Sequence, residues 1–133
     1  MPRWVLLRHT LPDETSHHDW MLERSGHRDA GLLTFRLEDG VRPSDRGLRT
    51  FSAEHLTPHR CEYLVYEGPV LGDRGWVVRV ESGLCEVIDS PLEGMTVVLY
   101  DRDSRVIANW RGKMLEPGVQ DSMPDRWRFD LAD

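Results

Sequence analysis

The chain is poor in the features that hold a fold together from outside its own core. It has two cysteines, Cys61 and Cys85, which lack Cys-x-x-Cys spacing and argue against a disulfide framework. Both fall in apolar, strand-like runs and read as reduced core thiols, which leads us to expect a cytoplasmic protein. No apolar run approaches the length needed to span a bilayer, so no membrane association is expected. The opening Met1-Pro2-Arg3-Trp4 lacks a charged start followed by an extended apolar stretch, so the expected chain is unprocessed. Lysine is almost absent: Lys113 stands alone beside sixteen arginines. That bias suits bidentate phosphate contacts and follows equally well from genome composition. An excess of basic charge is also missing. The net charge is −6, and residues 81–133 hold eleven acids against six bases, so any nucleic-acid contact must be local. Finally, no long stretch keeps a helical period.

What is present is a series of short β-like runs, at residues 4–7, 17–22, 32–37, 63–66, 76–80, 84–88, 96–100, 106–110 and 127–131. Turn signals such as Glu38-Asp39-Gly40, Gly72-Asp73-Arg74-Gly75 and Asp101-Arg102-Asp103-Ser104 separate them. Many short strands without long helices between them predict an all-β, mainly antiparallel fold, a compact β-barrel with short helical turns. At 133 residues the chain suits one domain spanning 1–133, with a core large enough to need no disulfide or structural metal. Ser52-Ala53-Glu54-His55 is expected to make at most one helical turn. Residues 42–58 read as a long surface connection, and residues 116–124 as an irregular, mobile segment before the last strand.

The densest chemical signal is Arg8-His9 followed by His17-His18-Asp19-Trp20-Met21-Leu22-Glu23. In a strand over 17–22, His17, Asp19 and Met21 share one face while His18, Trp20 and Leu22 share the other. With Trp20 and Leu22 in the core, His17 and Asp19 face a cleft or solvent. His9, at the end of the preceding run, is within reach if the two strands form a hairpin. Two imidazoles and a carboxylate suit a divalent metal such as Mn²⁺ or Zn²⁺ with open positions for water or substrate. The same residues also fit a polar strand face with local hydrogen bonds, and a one-residue slip would exchange His17 for His18. A second cluster, His59-Arg60-Cys61-Glu62-Tyr63, puts His59 and Tyr63 at matching parity in an extended segment. The pair suits a general acid and hydrogen-bond donors to a phosphate oxygen, or simply a core tyrosine preceded by a surface histidine. His27 and His55 are left outside the site.

In this order, the two clusters resemble the 3′-phosphoesterase domain of bacterial ligase D and its stand-alone relatives. That family has a histidine after the first strand, a His-x-Asp-x-x-Leu-Glu run, and a His-x-x-x-Tyr followed by an acidic-Gly turn. Here these are His9, His17 to Glu23, His59 to Tyr63, and Glu67-Gly68; the likeness continues through Gly72 to Val78 and more weakly to about Lys113. The resemblance implies a β-barrel, a Mn²⁺-type site on His9, His17 and Asp19, and phosphate-engaging catalytic roles for His59 and Tyr63. It also implies removal of a 3′-terminal ribonucleoside and then a 3′-phosphate from a DNA strand, in company with a DNA ligase or polymerase. The chain departs from the pattern where active members carry an arginine two residues after the aspartate, because Met21 stands there. Asp13-Glu14-Thr15-Ser16 replaces a further arginine before the second histidine, and the His9 to His17 spacing is two residues longer. Arg8, Arg24, Arg28, Arg36 and Arg49 are candidates to restore the charge, with Arg8 the nominal substrate contact, and nothing in the sequence selects among them.

Three functions follow as alternatives: a metal-dependent phosphoesterase at DNA or RNA 3′ ends, a metal- and end-binding module that has lost turnover, and a non-haem iron oxygenase barrel. The last would combine His17 and Asp19 with His55 or His59 as a facial triad. It ranks lowest, because it leaves Tyr63 and Glu67-Gly68 unexplained and usually needs a longer chain.

Overall fold

A computed structural model describes residues 1–26, 30–90, 94–119 and 123–132. His27 and Arg28 lie outside the described residues, as do residues 120–122 of the irregular segment before the last strand. The strands are β1 (Arg3–Thr10), β2 (Ser16–Leu22), β3 (Leu32–Glu38), β4 (Thr50–His59), β5 (Gly68–Pro69), β6 (Trp76–Ser90), β7 (Gly94–Tyr100), β8 (Val106–Glu116) and β9 (Asp125–Leu131). All pairings are antiparallel. The order β1-β2-β3-β4-β9-β8-β7-β6 closes by a β6–β1 pairing into an eight-stranded barrel, with the two-residue β5 appended to β6. Among the described residues, no helix is long and apolar enough to cross a membrane.

The alternation that predicts strands also sorts side chains to the two faces of the barrel wall. Met95, Val97 and Leu99 of β7 point inward, as do Trp4 and Leu6 of β1, Trp20 and Leu22 of β2, and Leu33, Phe35 and Leu37 of β3. Trp20 lies edge-on to Phe51 and Phe129, with ring centroids 5.7 and 5.4 Å apart, so β2, β4 and β9 meet through aromatic contacts.

A second buried cluster forms on the outer face of β1 and β2. Val5, Leu7 and Met21 point outward there, yet are covered together with Leu32, Leu64 and Val77. The cover is the segment running from the end of β4, through a 3-10 turn at Cys61–Leu64 and β5, to the start of β6. Side chains that would face solvent in a plain barrel are therefore buried, and the rim of this cover forms a groove.

The structure differs from the sequence-based expectation in four places. Residues 42–58 are not one long connection: 50–58 belong to β4, and the loop is confined to residues 39–49. Ser52-Ala53-Glu54-His55 is part of β4 rather than a helical turn, because β3 and β9 hydrogen-bond to it on both sides. Residues 63–66 are not a strand. Tyr63 N–H donates to the Arg60 carbonyl and Val65 N–H to that of Glu62, both at 3.1 Å, and only Leu64 is buried. The runs at 76–80 and 84–88 join as the single strand β6.

Candidate metal centre

The β1–β2 hairpin builds the site by register. His9 pairs directly with His17, and Leu7 with Asp19, so odd-numbered residues of both strands share the outer face. His18 lies on the opposite face, buried, where its Nδ1 donates to the Val41 carbonyl at 2.8 Å. Trp20 and Leu22 set this register, because a one-residue slip would eject both from the core.

His9, His17 and Asp19 converge, with one ligand atom of each lying within 4.8 Å of the others. Asp19 is only 3% exposed. Its Oδ2 is 3.5 Å from His9 Nδ1 and its Oδ1 is 3.2 Å from His17 Nε2. His9 Nε2 donates to the Arg74 carbonyl at 2.6 Å. A carbonyl can only accept, so the neutral imidazole turns its Nδ1 lone pair toward the carboxylate. His17 Nε2 and Asp19 Oδ1 are both buried without a hydrogen-bond partner, so their close contact is off-line for a hydrogen bond. Three acceptor-capable atoms crowded in a buried space call for a proton or a cation between them. Fixing the far nitrogen of a ligand histidine on a carbonyl is the usual outer support of a metal site. The donor set therefore fits a divalent transition metal.

Charge agrees with this geometry. Burial pushes the Asp19 carboxyl up, but protons carried by the adjoining His17 and His9 rings outweigh it and hold it well below the usual carboxylate range. His9 is raised by its contact with Asp19, against the opposing effect of burial.

Two glycines bring the covering segment close. Gly75 has φ +87°, and a Cβ there would lie 1.8 Å from the Thr10 carbonyl oxygen, so only glycine lets Arg74 reach His9. Gly31, with φ +79°, packs against the carbonyl of His59, where a Cβ would sit 2.6 Å away.

The groove has two lobes, of about 560 and about 600 Å³, which share His9, Asp19, Thr57, His59 and Arg74. One is lined by Met21, Tyr63, Tyr66 and Leu71, the other by Leu11, Asp13, Arg36 and Asp73. His59 ends β4 rather than preceding a strand, and its Nδ1 donates to the Thr57 carbonyl at 2.9 Å, leaving Nε2 for a ligand. Tyr63 sits in the 3-10 turn with its ring 6.0 Å from that of His59 and 5.8 Å from that of Tyr66. The structure thus brings His59 and Tyr63 to the same groove as His9 and Asp19, through a turn rather than through strand parity.

It does not bring Arg8 there. Arg8 shares the parity of Trp4 and Leu6, and its Nε and Nη2 donate to the Asp39 carboxylate, both at 3.0 Å. Arg24 pairs with Asp89 at 2.8 Å, and Arg49 is exposed just before β4. Arg36 alone of the described candidates lines the groove. It stands opposite Asp19 on β3, and its Nε is buried without a hydrogen-bond partner. The alternation Leu33, Phe35, Leu37 already places Arg36 on the face away from the core, a signal usable once β2 and β3 are known to be neighbours. His55 points inward, its ring 5.1 Å from Phe35, and does not join Asp19. Tyr66 and the Arg74 carbonyl have no sequence signal.

No protein-family model and no curated protein matches the chain. Fold and site together define a closed antiparallel barrel with a candidate two-histidine, one-carboxylate metal centre on its outer wall.

Proposed function

We propose that the protein is a divalent-metal phosphoesterase of the ligase D 3′-phosphoesterase type, acting on 3′-phosphate or 3′-ribonucleoside ends of nucleic acid. The observation that carries this reading is the convergence of His9, His17 and Asp19, with His17 Nε2 and Asp19 Oδ1 buried and without hydrogen-bond partners, at a groove that His9 and Asp19 line together with His59 and Tyr63.

His9, His17 and Asp19 would hold the ion, which we take to be Mn²⁺ or Zn²⁺. When bound, such an ion supplies charge neutralisation for phosphoryl oxygens and a more acidic water. The chain's own residues do the rest. His59 presents Nε2 to the groove and gives a proton to the departing 3′ oxygen as its bond to phosphorus breaks. The attacking water forms the new P–O bond, and the proton it loses restores His59. The Tyr63 hydroxyl donates to a non-bridging phosphoryl oxygen as charge builds there. Tyr63 and Tyr66 offer ring faces to the terminal nucleoside. Because the net charge is −6, contact with the strand is confined to this groove. The partner in such a reaction is a DNA ligase or polymerase that uses the healed 3′ hydroxyl.

The test is release of inorganic phosphate from a 3′-phosphorylated DNA strand. Mn²⁺ should stimulate release, and His9→Ala and His59→Ala should abolish it. Intact ends after incubation with metal-loaded protein would overturn the assignment. A second reading, a metal- and end-binding module without turnover, draws on Met21, which is 1% exposed and gives the groove an apolar floor where active relatives carry an arginine. Salt-sensitive affinity for 3′ ends with no hydrolysis would select it.

A further inference from the structure

We infer that Arg36 is the phosphate-binding cation of this groove, supplying from β3 the charge that Met21 does not supply from β2. Four observations carry the inference. Arg36 stands directly across from Asp19 in the β2–β3 register and on the same outer face. It lines the lobe that also contains His9, Asp19 and His59. Its Nε is buried without a partner, and among the described residues it forms no ion pair. Of the other arginines lining the groove, Arg74 donates its Nε–H to the Leu71 carbonyl at 2.7 Å and Arg60 lies 3.4 Å from Glu62, so neither shows the buried, unpaired Nε of Arg36.

A half-buried guanidinium with an unused donor is costly unless something completes it. Asp19 does not, because its carboxylate is turned to the two histidines. A divalent cation bound there would take up that carboxylate's charge and leave Arg36 aimed at whatever anion shares the groove. A phosphoryl group fits the fork of a guanidinium through paired N–H···O bonds. Met21 carries no charge. It is packed in the outer cluster with Val5, Leu7, Leu32, Leu64 and Val77, where a cation would be buried among apolar side chains. The cation has in effect moved one strand over.

The identity of the anion rests on the phosphoesterase reading, but the experiment separates the two. Mn²⁺ and inorganic phosphate are titrated in turn into the purified full chain, and the same is done with Arg36→Gln, Arg36→Lys and Arg49→Gln. Arg36→Gln should weaken phosphate binding to the Mn²⁺-loaded protein by about tenfold or more, the scale of one lost charge-assisted pair, with Mn²⁺ affinity changed by no more than about twofold. Arg36→Lys should keep part of the phosphate affinity, and Arg49→Gln should match the parent. Phosphate binding by Arg36→Gln equal to the parent's overturns the inference, as does a parallel loss of Mn²⁺. No phosphate binding by the Mn²⁺-loaded parent also overturns it. If Arg36→Gln does not fold, Arg36→Lys decides: unchanged affinity and unchanged dependence on salt count against the role. Arg36-dependent phosphate binding without hydrolysis of 3′-phosphate ends leaves this inference standing and removes the catalytic one.

Discussion

His9 and His17 face each other directly across the β1–β2 pair, with ring centroids 4.9 Å apart and planes at 76°. Asp19 reaches both rings from one register step away. The hairpin therefore prepares a donor set whose members repel one another unless a proton or a metal ion lies between them.

That competition gives a pH dependence. His9 is raised above its ordinary value near 6.5 by Asp19, so in metal-free protein the pair stabilises the fold fully below that value. This contribution is lost as pH rises through the raised His9 value. Asp19 is lowered from its ordinary 3.8, so its contribution is present above that value and lost as pH falls through its depressed folded value. A metal ion must displace the His9 proton. Mn²⁺ affinity should therefore fall by about tenfold per pH unit below the His9 value and level off above it. Titration calorimetry at a series of pH values reads this, and a flat profile would mean that His9 is not a ligand.

Gly75 tests the outer support of the site. In Gly75→Ala the new Cβ must displace the Thr10 carbonyl or the covering segment, which draws Arg74 away from His9. Mn²⁺ affinity should drop by about tenfold, the scale of a lost outer partner of a ligand histidine. Gly47→Ala has ordinary contacts and no positive φ, so it should leave affinity unchanged. Equal affinities in both variants would show that the Arg74 carbonyl does not fix the ligand.

The barrel core can be probed apart from the site. Trp20 and Phe129 are wholly buried and pack edge-on at 5.4 Å. Phe129→Ala should cost about 3–5 kcal/mol in denaturant unfolding. A loss under about 1 kcal/mol would mean that the interior is not packed as described.

The two thiols should differ sharply. Neither is in a disulfide, and Cys85 is buried inside the barrel while Cys61 is half-buried at the groove's cover. Burial pushes the Cys85 thiol up to about 12. An alkylating reagent at neutral pH should modify Cys61 alone in the native protein and both after unfolding, as counted by mass. Rapid native labelling of Cys85 would contradict its placement.

The sequence carries the face assignment of β2 because Trp20 and Leu22 mark the inside unambiguously, and His17 and Asp19 follow by parity. The site strands were legible for that local reason. β4 was not, because what holds Ser52 to His55 extended is pairing with β3 and with a β9 some seventy residues away, and no local pattern records such pairing. The same holds for the outer cluster. Val5, Leu7 and Met21 look like residues of a second apolar face, and only the fold-back of residues 60–75 explains why they are buried. Arg36 was one of five arginines until the β2–β3 register set it opposite Asp19.

The most direct measurement is a titration of metal-free protein with Mn²⁺, followed by the loss of the free-ion paramagnetic resonance signal, for the parent chain and for Asp19→Asn. One ion should bind per parent chain, and binding should weaken by about a hundredfold or more in Asp19→Asn, which keeps the side chain's shape and removes its charge. No saturable binding by the parent, or equal binding by the two proteins, would contradict a metal centre on His9, His17 and Asp19.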